Sequence, residues 1–164
     1  MAGPISAFFT EDHVRLDALL RKAVERPGSL DRPAFDAFRA GLLRHIALEE
    51  KILLPAARRA RGGEPLPIAH RLRIDHGAIA SLLVPTPTPE IVGEIRTILD
   101  PHDLAEEEPG GLYQSCDELL AGEAAALLEK ARAYPPVKVA RYNDGPGVYR
   151  RAADALAASA RQIR

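Results

Sequence analysis

The stretch Phe35-Asp36-Ala37-Phe38-Arg39-Ala40-Gly41-Leu42-Leu43-Arg44-His45-Ile46-Ala47-Leu48-Glu49-Glu50-Lys51-Ile52-Leu53-Leu54-Pro55 decides how the chain is read. In steps of three and four its inward stripe runs Phe35, Phe38, Leu42, His45, Glu49, Ile52, Ala56, the face that a bundle helix turns to its core. Two neighbouring core positions are thus held by an imidazole and a carboxylate, which are expensive to bury unless something compensates them. A metal ion does so.

Working outward, the same arrangement recurs. Helix 1 is expected after an N-cap at Thr10, with the stripe Phe9, His13, Leu16, Leu20, Ala23. Helix 2 begins near Asp31 with Pro33 in its first turn and runs to about Arg61, kinked by Pro55 one to two turns beyond Glu49. Helix 3 covers roughly Pro67 to Val84 with the stripe Ala69, Leu72, His76, Ile79, Leu83. After the stiff linker Pro85-Thr86-Pro87-Thr88-Pro89, helix 4 starts at Glu90 and faces Ile91, Ile95, Ile98, His102 and Glu106 inward, with a kink or restart at Pro101. Pro109-Gly110-Gly111 breaks the chain again, and a further helix is expected from Leu112 to Tyr134, carrying Leu119, Leu120, Leu127 and Leu128. The expected fold class is all-α: an up-down-up-down four-helix bundle over residues 1–134, with a C-terminal helical extension over 135–164 that packs on the bundle or on a partner subunit.

The chain reads as two copies of one helical hairpin. Asp12-His13 pairs with Asp75-His76, and His45-x-x-x-Glu49-Glu50 with His102-x-x-x-Glu106-Glu107. Residues four apart share a helix face with Cβ atoms about 5–6 Å apart, so His45 with Glu49 and His102 with Glu106 can each grip one metal centre. Four neutral imidazoles and two carboxylates suit iron or manganese, whereas structural zinc normally takes four ligands rich in thiolate. Six ligands imply two ions. With both carboxylates bridging, the protein fills about eight of about twelve octahedral positions and an oxo or hydroxo bridge about two, leaving about two for dioxygen, peroxide or nitric oxide.

With these residues the sequence resembles the hemerythrin-like (HHE) family of non-haem di-iron four-helix bundles, over about Ser6 to Tyr134. The resemblance implies that His13 and His45 ligate one iron, that His76 and His102 ligate the other, and that Glu49 and Glu106 bridge them. Manganese or zinc are the substitutes it allows. Leu72 stands where the oxygen-carrying members have a further histidine, four residues before His76, and the last-helix spacing is also shorter. Both departures fit the four-histidine, two-glutamate branch, whose members are linked to nitric oxide, peroxide or oxygen responses and to iron handling. A non-enzymatic iron or oxygen sensor, working through the Arg-rich tail, is the alternative. A ferritin-like site needs Glu-x-x-His pairs, and this chain has none.

Other residues are read more simply. His70 points about 120° away from His76 and belongs to the surface. Glu50 and Glu107 lie one step off the stripe and are read as solvated or salt-bridged, with Glu107 replacing Glu106 if Pro101 shifts the register. Asp12 and Asp75 are read as helix-start charges or surface pairs, with carboxylates that support the metal-ligating histidines from behind as the alternative. Phe9 is core. Cys116, the one cysteine of 164 residues, is a small buried hydrophobe. A composition of 46% hydrophobic and 27% charged residues with net charge -1 offers no field for nucleic acid or anionic lipid. No apolar run is long enough to span a membrane and the N-terminus lacks a signal-peptide pattern, so a cytoplasmic location is expected; oligomeric state is left open.

Overall fold

Helix α1 spans Pro4–Ala23 and begins two turns earlier than the local sequence suggests, with Thr10 inside it. Its first backbone N–H groups are satisfied from far along the chain, because the Asp117 carboxylate accepts from Ile5 N at 2.8 Å and from Ser6 N at 3.1 Å. The cap is thus tertiary, supplied 112 residues away. The computed structural model describes residues 2–163, and no β-strand occurs among them.

Helix α2, Arg32–Leu48, is capped as expected by Asp31, whose side chain accepts from Ala34 N at 3.0 Å. The irregularity attributed to Pro55 lies upstream of it. Glu49–Leu53 form a π-helical turn, with Leu54 N–H bonded back to Glu49 O, before α3 resumes over Leu54–Ala60 with Pro55 in its first turn. The proline needs no backbone donor there, and the extra residue is absorbed in the wider turn. The inward stripe accordingly shifts by one: Leu53 is fully buried, whereas Ile52 is half-buried.

Helix α4 covers Ala69–Leu82 and α5 covers Pro89–Glu107, capped by the Thr88 hydroxyl on Ile91 N at 3.2 Å. α5 does not restart at Pro101 but continues through it as one helix. Pro101 and Thr97, whose carbonyl it leaves without a partner, both lie on the exposed face where water can serve that carbonyl. The expected helix from Leu112 to Tyr134 is two helices, α6 (Leu112–Leu119) and α7 (Ala124–Ala133), separated by a turn containing Gly122. Leu120, Leu127 and Leu128 are buried as expected, but Leu119 is 37% exposed. The last helix, α8, is Ala152–Gln162. It lies on α4, where the Ser159 hydroxyl donates to Ile74 O at 2.7 Å, and Ala152 N donates to Glu94 on α5 at 2.8 Å.

Two apolar clusters define the bundle. One gathers Leu16 and Leu20 of α1, Phe38 and Leu42 of α2, Ile79 of α4 and Leu99 of α5. The other gathers Phe9, Leu48 and Leu72 with Leu112, Leu120 and Leu128. Along α1 and α4 the chain passes from the second cluster to the first; along α2 and α5 it runs from the first toward the second. That alternation is the up-down-up-down order. In each of the four helices the histidine falls between the clusters: His13 between Phe9 and Leu16, His45 between Leu42 and Leu48, His76 between Leu72 and Ile79, His102 between Leu99 and the turn to Leu112. A polar layer is sandwiched between two apolar ones.

Candidate metal centre

All six residues singled out from the sequence meet in this layer. His13, His45, His76 and His102 are between 2% and 7% exposed, and Glu49 and Glu106 are fully buried. They form two donor groups, His13 with His45, Glu49 and Glu106, and His76 with His102, Glu49 and Glu106, each with its ligand atoms within 4.8 Å of one another. The two glutamates belong to both groups and face each with a different oxygen. Glu49 turns Oε1 to His45 Nε2 at 3.2 Å and Oε2 to His76 Nε2 at 3.1 Å. Glu106 turns Oε2 to His13 Nε2 at 3.3 Å and Oε1 to His102 Nε2 at 3.0 Å. This is the disposition of two bridging carboxylates. Glu106 therefore holds the inward position in preference to Glu107.

Each imidazole is fixed from behind by its own carboxylate. His13 Nδ1 bonds Glu107 at 2.6 Å, His45 Nδ1 bonds Asp12 at 2.8 Å, His76 Nδ1 bonds Glu50 at 2.7 Å and His102 Nδ1 bonds Asp75 at 3.1 Å. An ionised carboxylate only accepts, so each Nδ1 carries the proton and each Nε2 is aimed inward. The aspartates act within their own hairpin and the glutamates reach across to the other, so the four bonds follow the sequence repeat. Asp12 and Asp75 do pair with Arg15 and Arg71, but they are not helix-start charges: each also stands behind the histidine one hairpin-arm away, as the alternative reading of their recurrence has it. Glu50 and Glu107 are salt-bridged, as one of their readings had it, and their partners are histidines of the centre. The doubled motifs Asp-His and Glu-Glu carried this signal in the sequence. His70 is exposed and takes no part, and Cys116 is buried with its thiol pushed up to about 12, chiefly by burial.

The electrostatics are those of a site that wants positive charge at its middle. Burial opposes protonation of His45, yet Glu49 and Asp12 outweigh it and hold the imidazole up at about 10. Burial likewise opposes the charge on His102, and Asp75 and Glu106 hold it at about 9. His76 lies well above its ordinary value despite burial, surrounded by Glu106, Glu49 and Glu50. Burial would raise Glu106, but His102, His13 and His76 keep it well below the usual carboxylate range. Protons cannot meet the whole demand. Glu49 Oε2, His76 Nε2 and Glu106 Oε1 are buried and lie close to one another or to His102 Nε2, yet none makes a well-directed hydrogen bond, and all three belong to the His76–His102 group. Orphaned atoms of this kind are rare, and two carboxylate oxygens and an imidazole nitrogen converging on one point fit a cation.

Two aromatic rings close the layer. Phe9 stacks on Tyr113 at 5.1 Å and meets His45 edge-on at 5.5 Å, so it serves both as core and as a wall of the centre. The Tyr113 phenol, delivered by α6, enters the centre itself, a placement no helical stripe signals. Nothing in the repeat marks that position, since the residue seven beyond Glu106 is Tyr113 and the one seven beyond Glu49 is Ala56. A narrow crevice leads to His13 from the surface between α1, α2 and α5, lined by Leu16, Leu42, Arg96, Leu99 and Asp103. A surface cavity of about 650 Å³ beside Thr86, Glu90 and Arg150 shares no residue with the centre.

Comparison with curated proteins and with solved structures returned no match. A family model, the hemerythrin HHE cation binding domain, matches residues 5–134, which takes in the whole bundle and both donor groups. With four helices carrying a His/Glu layer in that frame, the chain belongs to the hemerythrin HHE cation-binding family.

Proposed function

We propose that this protein holds two iron ions, one between His13, His45, Glu49 and Glu106 and the other between His76, His102, Glu49 and Glu106, and that its partner is dioxygen, peroxide or nitric oxide. The observation that carries the reading is the pair of donor groups sharing two glutamates through different oxygens. Nitrogen and oxygen donors without thiolate suit iron, and an iron pair supplies redox chemistry and open positions for small ligands.

The chain's own residues do the rest. Asp12, Glu50, Asp75 and Glu107 lock the imidazole tautomers and raise the basicity of the inward nitrogens. The apolar clusters on either side exclude bulk water, and the crevice at His13 is narrow enough to favour a di- or triatomic ligand over a larger substrate. Asp103, in that crevice with its nearest oxygen 3.6 Å from His13 Nε2, is pushed up to about 6 by burial and by Glu106, so it can hold a proton near neutrality at the mouth of the path.

Metal analysis of the purified protein tests the reading. Close to two iron per chain is expected, with loss of both on changing His45→Ala and His102→Ala together. Full metal content in that double variant refutes it. Spectra of the reduced protein exposed separately to oxygen, peroxide and nitric oxide then assign the partner, a stable adduct meaning a carrier or sensor and peroxide loss with turnover meaning an enzyme.

A further inference from the structure

Tyr113 is buried to 1% exposure, and its hydroxyl lies among the donors of one group alone. It stands 2.6 Å from Glu49 Oε1, 3.0 Å from Glu106 Oε2, 3.0 Å from His13 Nε2 and 3.3 Å from His45 Nε2. A buried phenol ordinarily finds one partner. Here one hydroxyl, which donates a single proton and accepts at most two, faces two carboxylate oxygens and two imidazole nitrogens at once.

The distances have a simpler meaning. Six-coordinate ions with donors about 2.1 Å away place adjacent donors about 3.0 Å apart. Around this group His13 Nε2 and His45 Nε2 are 3.0 Å apart, His45 Nε2 and Glu49 Oε1 3.2 Å, and His13 Nε2 and Glu106 Oε2 3.3 Å. Those are three consecutive sides of a four-atom ring, and the Tyr113 oxygen stands between 2.6 and 3.3 Å from all four atoms, within reach of an ion they would hold. We propose that Tyr113 is a fifth protein ligand to the ion held by His13, His45, Glu49 and Glu106, binding through its phenolate oxygen. This rests on the iron reading given above.

The local chain is shaped for that placement. Gly110 has a φ of +78°, a left-handed conformation that favours glycine. A Cβ at Gly111 would lie 2.6 Å from Ala105 O and 2.8 Å from Glu106 O, so only glycine lets α6 start against the end of α5 and turn Tyr113 back into the layer. Phe9 stacked on the ring fixes its plane. In coordination the O–H bond breaks, the oxygen–iron bond forms and the proton passes to solvent, the ion's charge stabilising a phenolate that would otherwise stand beside two carboxylates. The second group has no such residue, since Ala56 stands at the matching position of the repeat. The two ions are therefore inequivalent, and an external ligand takes the His76–His102 side.

Loading the purified chain with ferric iron tests this. A visible phenolate-to-iron charge-transfer band and resonance-enhanced tyrosinate ring vibrations are expected, lost in Tyr113→Phe and kept in Tyr134→Phe. If Tyr113→Phe does not fold, ring-deuterated tyrosine in the wild-type chain must shift those vibrations, and Tyr134→Phe, Tyr142→Phe and Tyr149→Phe must each retain them. A chain with two iron and no tyrosinate vibrations, or Tyr113→Phe with the vibrations intact, overturns the tyrosine ligand and leaves the iron reading standing. A chain that takes up no iron overturns both.

Discussion

Removing the metal is the perturbation with the largest consequence for the fold. Without a cation, Glu49 Oε2, His76 Nε2 and Glu106 Oε1 are buried with no well-directed hydrogen bond. Each such atom costs about 1–3 kcal/mol, so the three together destabilise the metal-free form by about 3–9 kcal/mol relative to the loaded one. For a domain of this size each kcal/mol moves the melting temperature by about 2–4 °C, which places the expected shift near 18 °C, within roughly 6–36 °C. A stabilisation of about 6 kcal/mol corresponds by mass action to free metal on the order of 10⁴ times its Kd. Scanning calorimetry of chelated and iron-loaded protein at one pH, with metal content measured on both samples, checks this. His70→Ala, on the exposed face, should leave the shift untouched. Equal melting temperatures for the two forms, with metal verified in one and absent from the other, would refute the reasoning, because the orphaned atoms would then be satisfied some other way.

Three further outcomes follow from the same geometry. Asp12→Ala and Asp75→Ala, which strip the support from His45 and His102, should each weaken metal affinity about 10–100-fold, readable by competition with a chelator of known affinity; unchanged affinity in both would remove the outer carboxylates from the account. In the metal-free protein, His102 at about 9 and His45 at about 10 bind protons more tightly than in the unfolded chain, so their stabilisation is complete below about 6.5 and is lost as pH rises through 9 to 10; melts at pH 7, 8, 9 and 10 should fall steadily, and a flat or rising series would contradict it. Metal affinity should move the opposite way over that range, since the same protons compete with the ion. Gly77→Leu sets a side chain against Ser159 where α8 crosses α4, so it should lower the melting temperature by displacing α8 while metal content stays the same; metal loss in parallel would tie α8 to the centre.

The bundle and the inner ligands were legible because both are written in helical periodicity. A histidine at a stripe position, with glutamate at i+4, must point inward in any regular helix, and the repeat of His13, His45 and Glu49 in His76, His102 and Glu106 needed no neighbour to interpret it. Periodicity failed where the backbone left the α-helix: beyond Glu49 the π turn moved the stripe from Ile52 to Leu53. It also gave α1 the wrong start, because the group that caps Ile5 and Ser6 is Asp117.

What the sequence by itself determined was the class of fold, the antiparallel order of the four helices and the six side chains of the polar layer, all consequences of local spacing. Only the tertiary structure decided which carboxylate stands behind which imidazole and that Tyr113 enters the layer. Those pairings join residues 26 to 100 positions apart through helix packing and a Gly110-Gly111 turn, and no local pattern of charge or hydrophobicity encodes the direction in which such a side chain will point.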